Sequence, residues 1–225
     1  SGDWYKIGIT KDGVYKLSYN TLKSLGVDVD NIDPRDLRVY GNGGAMLPIL
    51  NSAKRPDDLV ENAIIVQGEN DGKFNTGDYI LFYGQSTLKW NYNSILQKFE
   101  HVIHQYSDTN YYFITANSPE LTLPKRIQSQ SSSAATPTNF VNTFNDFQYY
   151  EKDESNLLKS GQEWYGEYFD VITSYDFKFN FPNIDPSSQV KTTVSAIARS
   201  SANSSMDFTV NGGSATNLNF TSVQT

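Results

Sequence analysis

The chain has no cysteine, only two histidines, and 18 Lys and Arg against 25 Asp and Glu. Each shortage excludes something. Without a sulfhydryl there is no disulfide, no thiolate nucleophile and no sulfur-ligated metal, so these residues cannot run cysteine-protease chemistry by themselves. A formal charge of −7 and no local cluster of Lys and Arg would repel a phosphate backbone, so no nucleic-acid partner is expected. No apolar run approaches the roughly 20 residues that a membrane-crossing helix needs, and no direct membrane insertion is expected. Ser1-Gly2 shows neither the basic nor the apolar region of a signal peptide and reads as a processed start or an expression remnant. Serines are plentiful but concentrate in flexible segments, and no Gly-x-Ser-x-Gly elbow supports a serine hydrolase.

Aromatic residues, in contrast, make up 14% of the chain, with 15 Tyr and 13 Phe. Such rings, together with many Val, Ile and Thr, suit a pleated, half-buried surface better than a helix, where χ1 freedom is lost. The expected fold class is all-β, built of β-sandwich or jelly-roll-like units with one or two short helices. A chain of this length accommodates two ordinary cores. Gln128 to Thr138 is almost entirely Ser, Gln, Ala, Thr and Pro, a composition with little to bury. The expected division is therefore a β-rich domain over 1–127, a flexible linker or loop over 128–139, and a second sandwich-like domain over 140–225, cut short at its C-terminus.

Local signals fill in the first part. Tyr5, Ile7 and Ile9 alternate, Lys11-Asp12-Gly13 supplies a turn and Val14 to Leu17 returns, which predicts a hairpin. Ser18 caps a short helix over Tyr19 to Leu25, with Leu22 and Leu25 inward and Gly26 as the left-handed stop. Leu37 to Tyr40 and Met46 to Leu50 flank Gly41-Asn42-Gly43-Gly44, which predicts a second hairpin with Pro48 at an edge. Ala63 to Val66 and Asp78 to Tyr83 repeat the theme around Asn70-Asp71-Gly72, and Tyr111 to Thr115 adds a strand. In the second part, Ser155 to Ser160 suggests a helical turn ended by Gly161. Tyr175, Phe177, Phe179 and Phe181 follow a period of two, and Val190 to Ile197 and Asp207 to Val210 continue as strands, with a turn at Gly212-Gly213.

Several of these phrases, in this order, resemble the N-terminal region of the type IX secretion sortase, a gingipain-like cysteine peptidase family. They are the Lys6-Ile7 strand leading to Asp12-Gly13-Val14-Tyr15-Lys16-Leu17, then Tyr19, Leu22, Leu25 and Gly26, then Leu37-Arg38-Val39-Tyr40. Leu37-Arg38-Val39-Tyr40 and Gly77-Asp78-Tyr79-Ile80-Leu81-Phe82-Tyr83-Gly84 also resemble gingipain-related proteins and so mark the broad group only. Tyr106-Ser107-Asp108 with Tyr111-Tyr112-Phe113, and Asn156 to Glu167, resemble the sortase more narrowly. The family has Arg and Phe where this chain has Gln162 and Tyr165, so the forked cation of that phrase is missing. The resemblance implies a parent enzyme that cleaves the C-terminal secretion domain from cargo and attaches the cargo to surface glycolipid with a Cys/His pair. It implies an exported, cell-surface protein associated with the outer membrane. The implied partners are its own downstream peptidase domain, an outer-membrane β-barrel of the secretion system, and cargo proteins. Neither catalytic residue falls in this sequence, so no catalytic, cofactor or metal residue is assigned and no cofactor is expected.

Other patterns invite sharper readings. His101 and His104 have the three-residue spacing of two metal ligands, but no clear acidic third ligand accompanies them and the stretch suits a strand as well as a helix. Asp28, Asp30, Asp33 and Asp36, and Glu69 to Gly72 with Asp78, are rich in hard oxygen donors but depart from the calcium-loop pattern and read as turns. Trp4, Trp90 and Trp164 could stack on sugars or fill a core. Glu163, Trp164, Tyr165 and Glu167 form the candidate interaction surface, because the flanking carboxylates keep the two rings near solvent. The functional expectation is a non-catalytic module that orients a peptidase domain, with a glycan-binding or adhesive surface module as the alternative.

Overall fold

In a computed structural model, residues 2–118, 122–132, 136–161 and 163–223 are described. The chain divides into two units, Ser1–Thr136 and Pro137–Thr225. Its regular structure is mainly antiparallel strand, an all-β fold as the composition predicts.

The first unit contains β1 (Tyr5–Ile9), β2 (Gly13–Ser18), α1 (Tyr19–Ser24), β3 (Arg38–Tyr40), β4 (Glu61–Asn62), β5 (Ile65–Gln67), β6 (Tyr79–Gly84), β7 (Lys89–Asn93), β8 (Lys98–Val102) and β9 (Asn110–Thr115). One antiparallel sheet runs β1-β9-β3-β4 and another runs β2-β6-β5. Alternation along the strands sends one face of each inward. Ile9, Val39, Tyr112 and Ile114 from the first sheet share a core with Leu17, Val66, Ile80 and Phe82 from the second. The rings of Phe82 and Tyr112 meet across it, 5.2 Å between centroids.

Two expected hairpins do not form. β1 and β2 are consecutive but belong to different sheets, β1 paired with β9 and β2 with β6. Residues 10–12 are therefore an arch between layers. A turn signal fixes where the chain reverses and not whether its arms hydrogen-bond to each other. β3 likewise pairs with β9 and β4, while 46–50 forms no strand and Leu47, Ile49 and Leu50 are exposed. The glycines that suggested a turn serve close packing instead. A Cβ on Gly41 would lie 2.4 Å from the Tyr112 ring, and one on Gly44 would lie 2.4 Å from the Ser86 carbonyl oxygen. The β5–β6 pair does form, around a 3-10 turn at Glu69–Asp71 closed by left-handed Gly72.

α1 follows the sequence closely. Ser18 Oγ accepts a hydrogen bond from the Thr21 amide at 3.2 Å, Leu22 is fully buried, and Gly26 takes φ +92°. Because the cap satisfies an otherwise orphaned amide, Ser18→Ala is expected to lower stability by about 1 kcal/mol in chemical denaturation. Ser18→Asp should restore most of the loss, and an unchanged midpoint for Ser18→Ala would contradict the capping role.

In the second unit, β10 (Ser204–Phe208) and β11 (Thr216–Phe220) pair antiparallel around a turn with Gly212 at φ +71°. Among the described residues, 175–181 and 190–197 join no ladder, unlike the expected strands. Tyr175 packs edge-on to Phe169 at 5.0 Å and Phe177 packs on Tyr150 at 4.9 Å, while Phe179 is half exposed. Period-two alternation identifies a two-faced segment, but ladder pairing requires a second strand in register. In the expected linker, 128–132 and 136–139 are exposed and irregular; Ser133, Ala134 and Ala135 lie outside the described residues, as does Gln162.

Candidate functional site

The predicted surface residues sit on a small antiparallel crossing in the second unit. The Tyr165 amide donates to the Ser155 carbonyl at 2.8 Å, and the Ser155 amide donates back to the Tyr165 carbonyl at 2.9 Å. The intervening loop turns at Asn156, whose carbonyl accepts from the Lys159 amide at 3.2 Å, and leaves through Gly161 at φ +73°. Gly166 is a point of close approach, since a Cβ there would lie 2.9 Å from the Lys152 Cβ.

This crossing separates the four residues chemically. Glu167 accepts from the Tyr150 hydroxyl at 2.5 Å and lies 3.9 Å from Lys152 Nζ, itself 2.7 Å from Glu154. The Tyr150 hydrogen bond, joined by the Lys152 charge, holds the Glu167 carboxyl below its usual range; the same bond raises the Tyr150 hydroxyl. Glu163 accepts from the Tyr165 hydroxyl at 3.3 Å, and Tyr165 is raised first by burial and then by the Glu163 charge. Trp164 is 40% exposed, with Tyr168 and Phe169 also open to solvent. Glu167 and Tyr165 are thus tied into the crossing, whereas Trp164 and Glu163 remain outward. That arrangement offers contact area with charge beside it.

The histidines are placed apart in role. His101, in β8, packs against Trp90 with 3.9 Å between ring centroids, and burial lowers its pKa. His104 lies beyond the strand, where its Nδ1 accepts from the Tyr106 amide at 3.1 Å. Among the described residues no three His, Cys, Asp or Glu side chains converge as a metal-holding group. The acidic run is used locally. Asp30 accepts from Tyr19 and Lys23, Asp33 from the backbone and side chain of Arg35, and Asp28 from Asn31. These bonds depress Asp30 (chiefly Tyr19) and Asp33 (chiefly Arg35). In the second acidic stretch Glu69 pairs with Arg126 at 2.9 Å, and Asp78 accepts from the Asn75 amide at 2.6 Å.

One grouping was not legible in the sequence. On the outer face of the β1-β9-β3-β4 sheet, Trp4, Tyr40, Asp58, Leu59 and Phe113 line an open cleft of about 370 Å³. Register explains it: Phe113 sits opposite Tyr40 and faces away from the core side of its neighbours Tyr112 and Ile114. Trp4 comes from the start of the chain to lie 5.1 Å from Tyr40. The period-two pattern of β9 marks Phe113 as outward, but only the non-local pairing of three strands gathers the rings.

No family model matches the chain, and no curated protein does. Among solved structures, a crystal structure of dimeric latent PorU from Porphyromonas gingivalis matches with 27% sequence identity and a TM-score of 0.54. The match covers 76% of this chain and spans only 14% of that one.

Proposed function

We propose that this chain is a non-catalytic structural and interaction module of a type IX secretion sortase, acting by docking on a peptidase domain that follows it in the same polypeptide. The observation that carries the reading is the similarity to PorU over 76% of the chain, taken with the absence of any cysteine. A cysteine peptidase cannot take its nucleophile from such a segment, so the segment's contribution lies in shape and contact. In this reading the parent protein is exported to the cell surface, removes the C-terminal secretion domain of cargo, attaches the cargo to glycolipid, and works beside an outer-membrane β-barrel. Glu163, Trp164, Tyr165 and Glu167 form part of the docking surface, with Trp164 as the aromatic anchor. Among the described residues no helix is long and apolar enough to cross a membrane.

The test joins gene and protein. The reading frame past Thr225 is expected to continue into a domain carrying a His and a Cys in a gingipain-like setting. The isolated chain is expected to show no peptidase turnover beyond buffer. A stop codon directly after Thr225, or turnover that co-purifies with the chain and survives contamination controls, would overturn the reading.

A further inference from the structure

The docking reading makes no use of the cleft on the outer face of the four-stranded sheet. We propose that this cleft receives the cationic side chain of a lysine or arginine presented by a polypeptide partner.

Its lining has the chemistry that such a group needs. Trp4 stands at an opening of about 370 Å³ with Phe113 and the buried ring of Tyr40, 3% exposed, forming its wall, and Asp58 lines the same opening. Ring faces carry partial negative charge and attract ammonium or guanidinium groups, most strongly where a full negative charge stands beside them. Trp4 is 43% exposed, so ring surface remains open to a ligand. The acid is held in place. Asp58 Oδ1 accepts from the Leu59 amide at 2.6 Å, and the Asp58 carbonyl accepts from Asn42 Nδ2 at 3.0 Å.

The charges nearby leave Asp58 in command. Among the described residues no Lys or Arg lines the cleft. On the same sheet face, Arg38 is neutralised by Glu61 at 2.9 Å. Lys6 sits opposite Phe113 in register, but its ammonium lies over the Tyr111 ring, 3.6 Å from the centroid. That contact shows the sheet face already holding one ammonium against an aromatic ring. A neutral sugar would need several hydrogen-bonding side chains around its hydroxyls, whereas Trp4, Tyr40, Leu59 and Phe113 present mainly rings and aliphatic surface. The net charge of −7 adds a long-range pull on basic segments at low salt.

The proposal does not rest on the secretion reading, and either can fail alone. Its test is a titration of the 15N-labelled chain, followed by amide and indole NMR signals, with acetylated and amidated Gly-Lys-Gly and Gly-Arg-Gly peptides. A norleucine peptide of the same length serves as the neutral control. Saturable shifts of the Trp4 indole and the Leu59 amide are expected with the two basic peptides and not with norleucine. Asp58→Asn, at an exposed position, should weaken them about fivefold. Trp4→Ala should remove the shift of the Leu59 amide. Equal binding of norleucine, undiminished affinity in Asp58→Asn, no response to either basic peptide, or a Trp4 response to oligosaccharides alone would each overturn the proposal. Should Asp58→Asn not fold, the lysine and norleucine comparison on the unaltered chain decides the matter.

Discussion

Glu61→Ala is expected to destabilise the first unit by about 3–5 kcal/mol, read as a shifted urea midpoint with little change in slope. The side chains of Arg38 and Glu61 are only 3% and 8% exposed, and Arg38 Nη1 donates to Glu61 Oε2 at 2.9 Å. Truncating the acid takes away a carboxylate hydrogen-bonded to a buried guanidinium, and with it attraction that offsets the desolvation of that charge. The loss does not stop there. Glu61 Oε1 also accepts from the Lys125 amide at 2.7 Å, and Arg38 Nη2 donates to the Thr122 carbonyl, so the pair pins residues 122–126 over the outer face of the sheet. Faster amide exchange at Lys125 should accompany the midpoint shift. The informative control is the double replacement Arg38→Met with Glu61→Leu. An apolar pair of similar volume avoids the desolvation cost and should recover most of the stability, though not the hold on Lys125. A loss below about 1 kcal/mol for Glu61→Ala would show that the remaining contacts of Arg38 suffice to hold its buried charge.

Phe82→Ala should cost a comparable amount, about 3–5 kcal/mol, for a different reason. Phe82 is 1% exposed and stands between Tyr15, its cross-strand neighbour at 5.8 Å, and Tyr112 of the facing sheet at 5.2 Å. Its removal takes away transfer energy and leaves a void at the junction of two layers, where backbones on both sides are held by ladders and cannot collapse into the space. Phe82→Leu keeps most of the apolar volume and should cost under about 1.5 kcal/mol. Equal losses for the two replacements would shift the explanation from cavity to ring–ring geometry. The Glu61 and Phe82 effects should add, since one residue lies on the outer face and the other in the core.

What could be read from the residues follows the range of the forces involved. α1 was legible because its signals act within a few residues: a serine cap, an inward leucine and a glycine stop. The β5–β6 pair was legible because its turn and both arms lie close together. The β1–β2 and β3 pairings were not, because partner choice is made by the core. Tyr5, Ile7 and Ile9 alternate equally well beside β2 or β9, and only β9 carries a core-facing Tyr112 and Ile114 to match them. The glycines at 41 and 44 misled for a related reason. A glycine permits a positive φ and also permits close approach, and the second use is invisible until the Tyr112 ring and the Ser86 carbonyl are in place. At the predicted surface, exposure of Trp164 follows from its charged neighbours, whereas the ties of Glu167 to Tyr150 and of Tyr165 to Ser155 depend on a crossing between separate segments. The outer cleft draws on β3, β9 and the residues before β1 and β4, so no local pattern announces it.

The seating of β1 against β9 has a further effect on how the molecule comes into being. Tyr5 finds its ladder partner in Ile114, and β9 is also the strand that joins β1 to β3. A polypeptide emerging N-terminus first from a ribosome or a translocation pore must therefore carry β1 unzipped until Thr115 is out. Over that interval the bare edges of β1 and β3 are open to intermolecular pairing, and a chaperone that shields them would raise the yield more than one that acts on the finished fold.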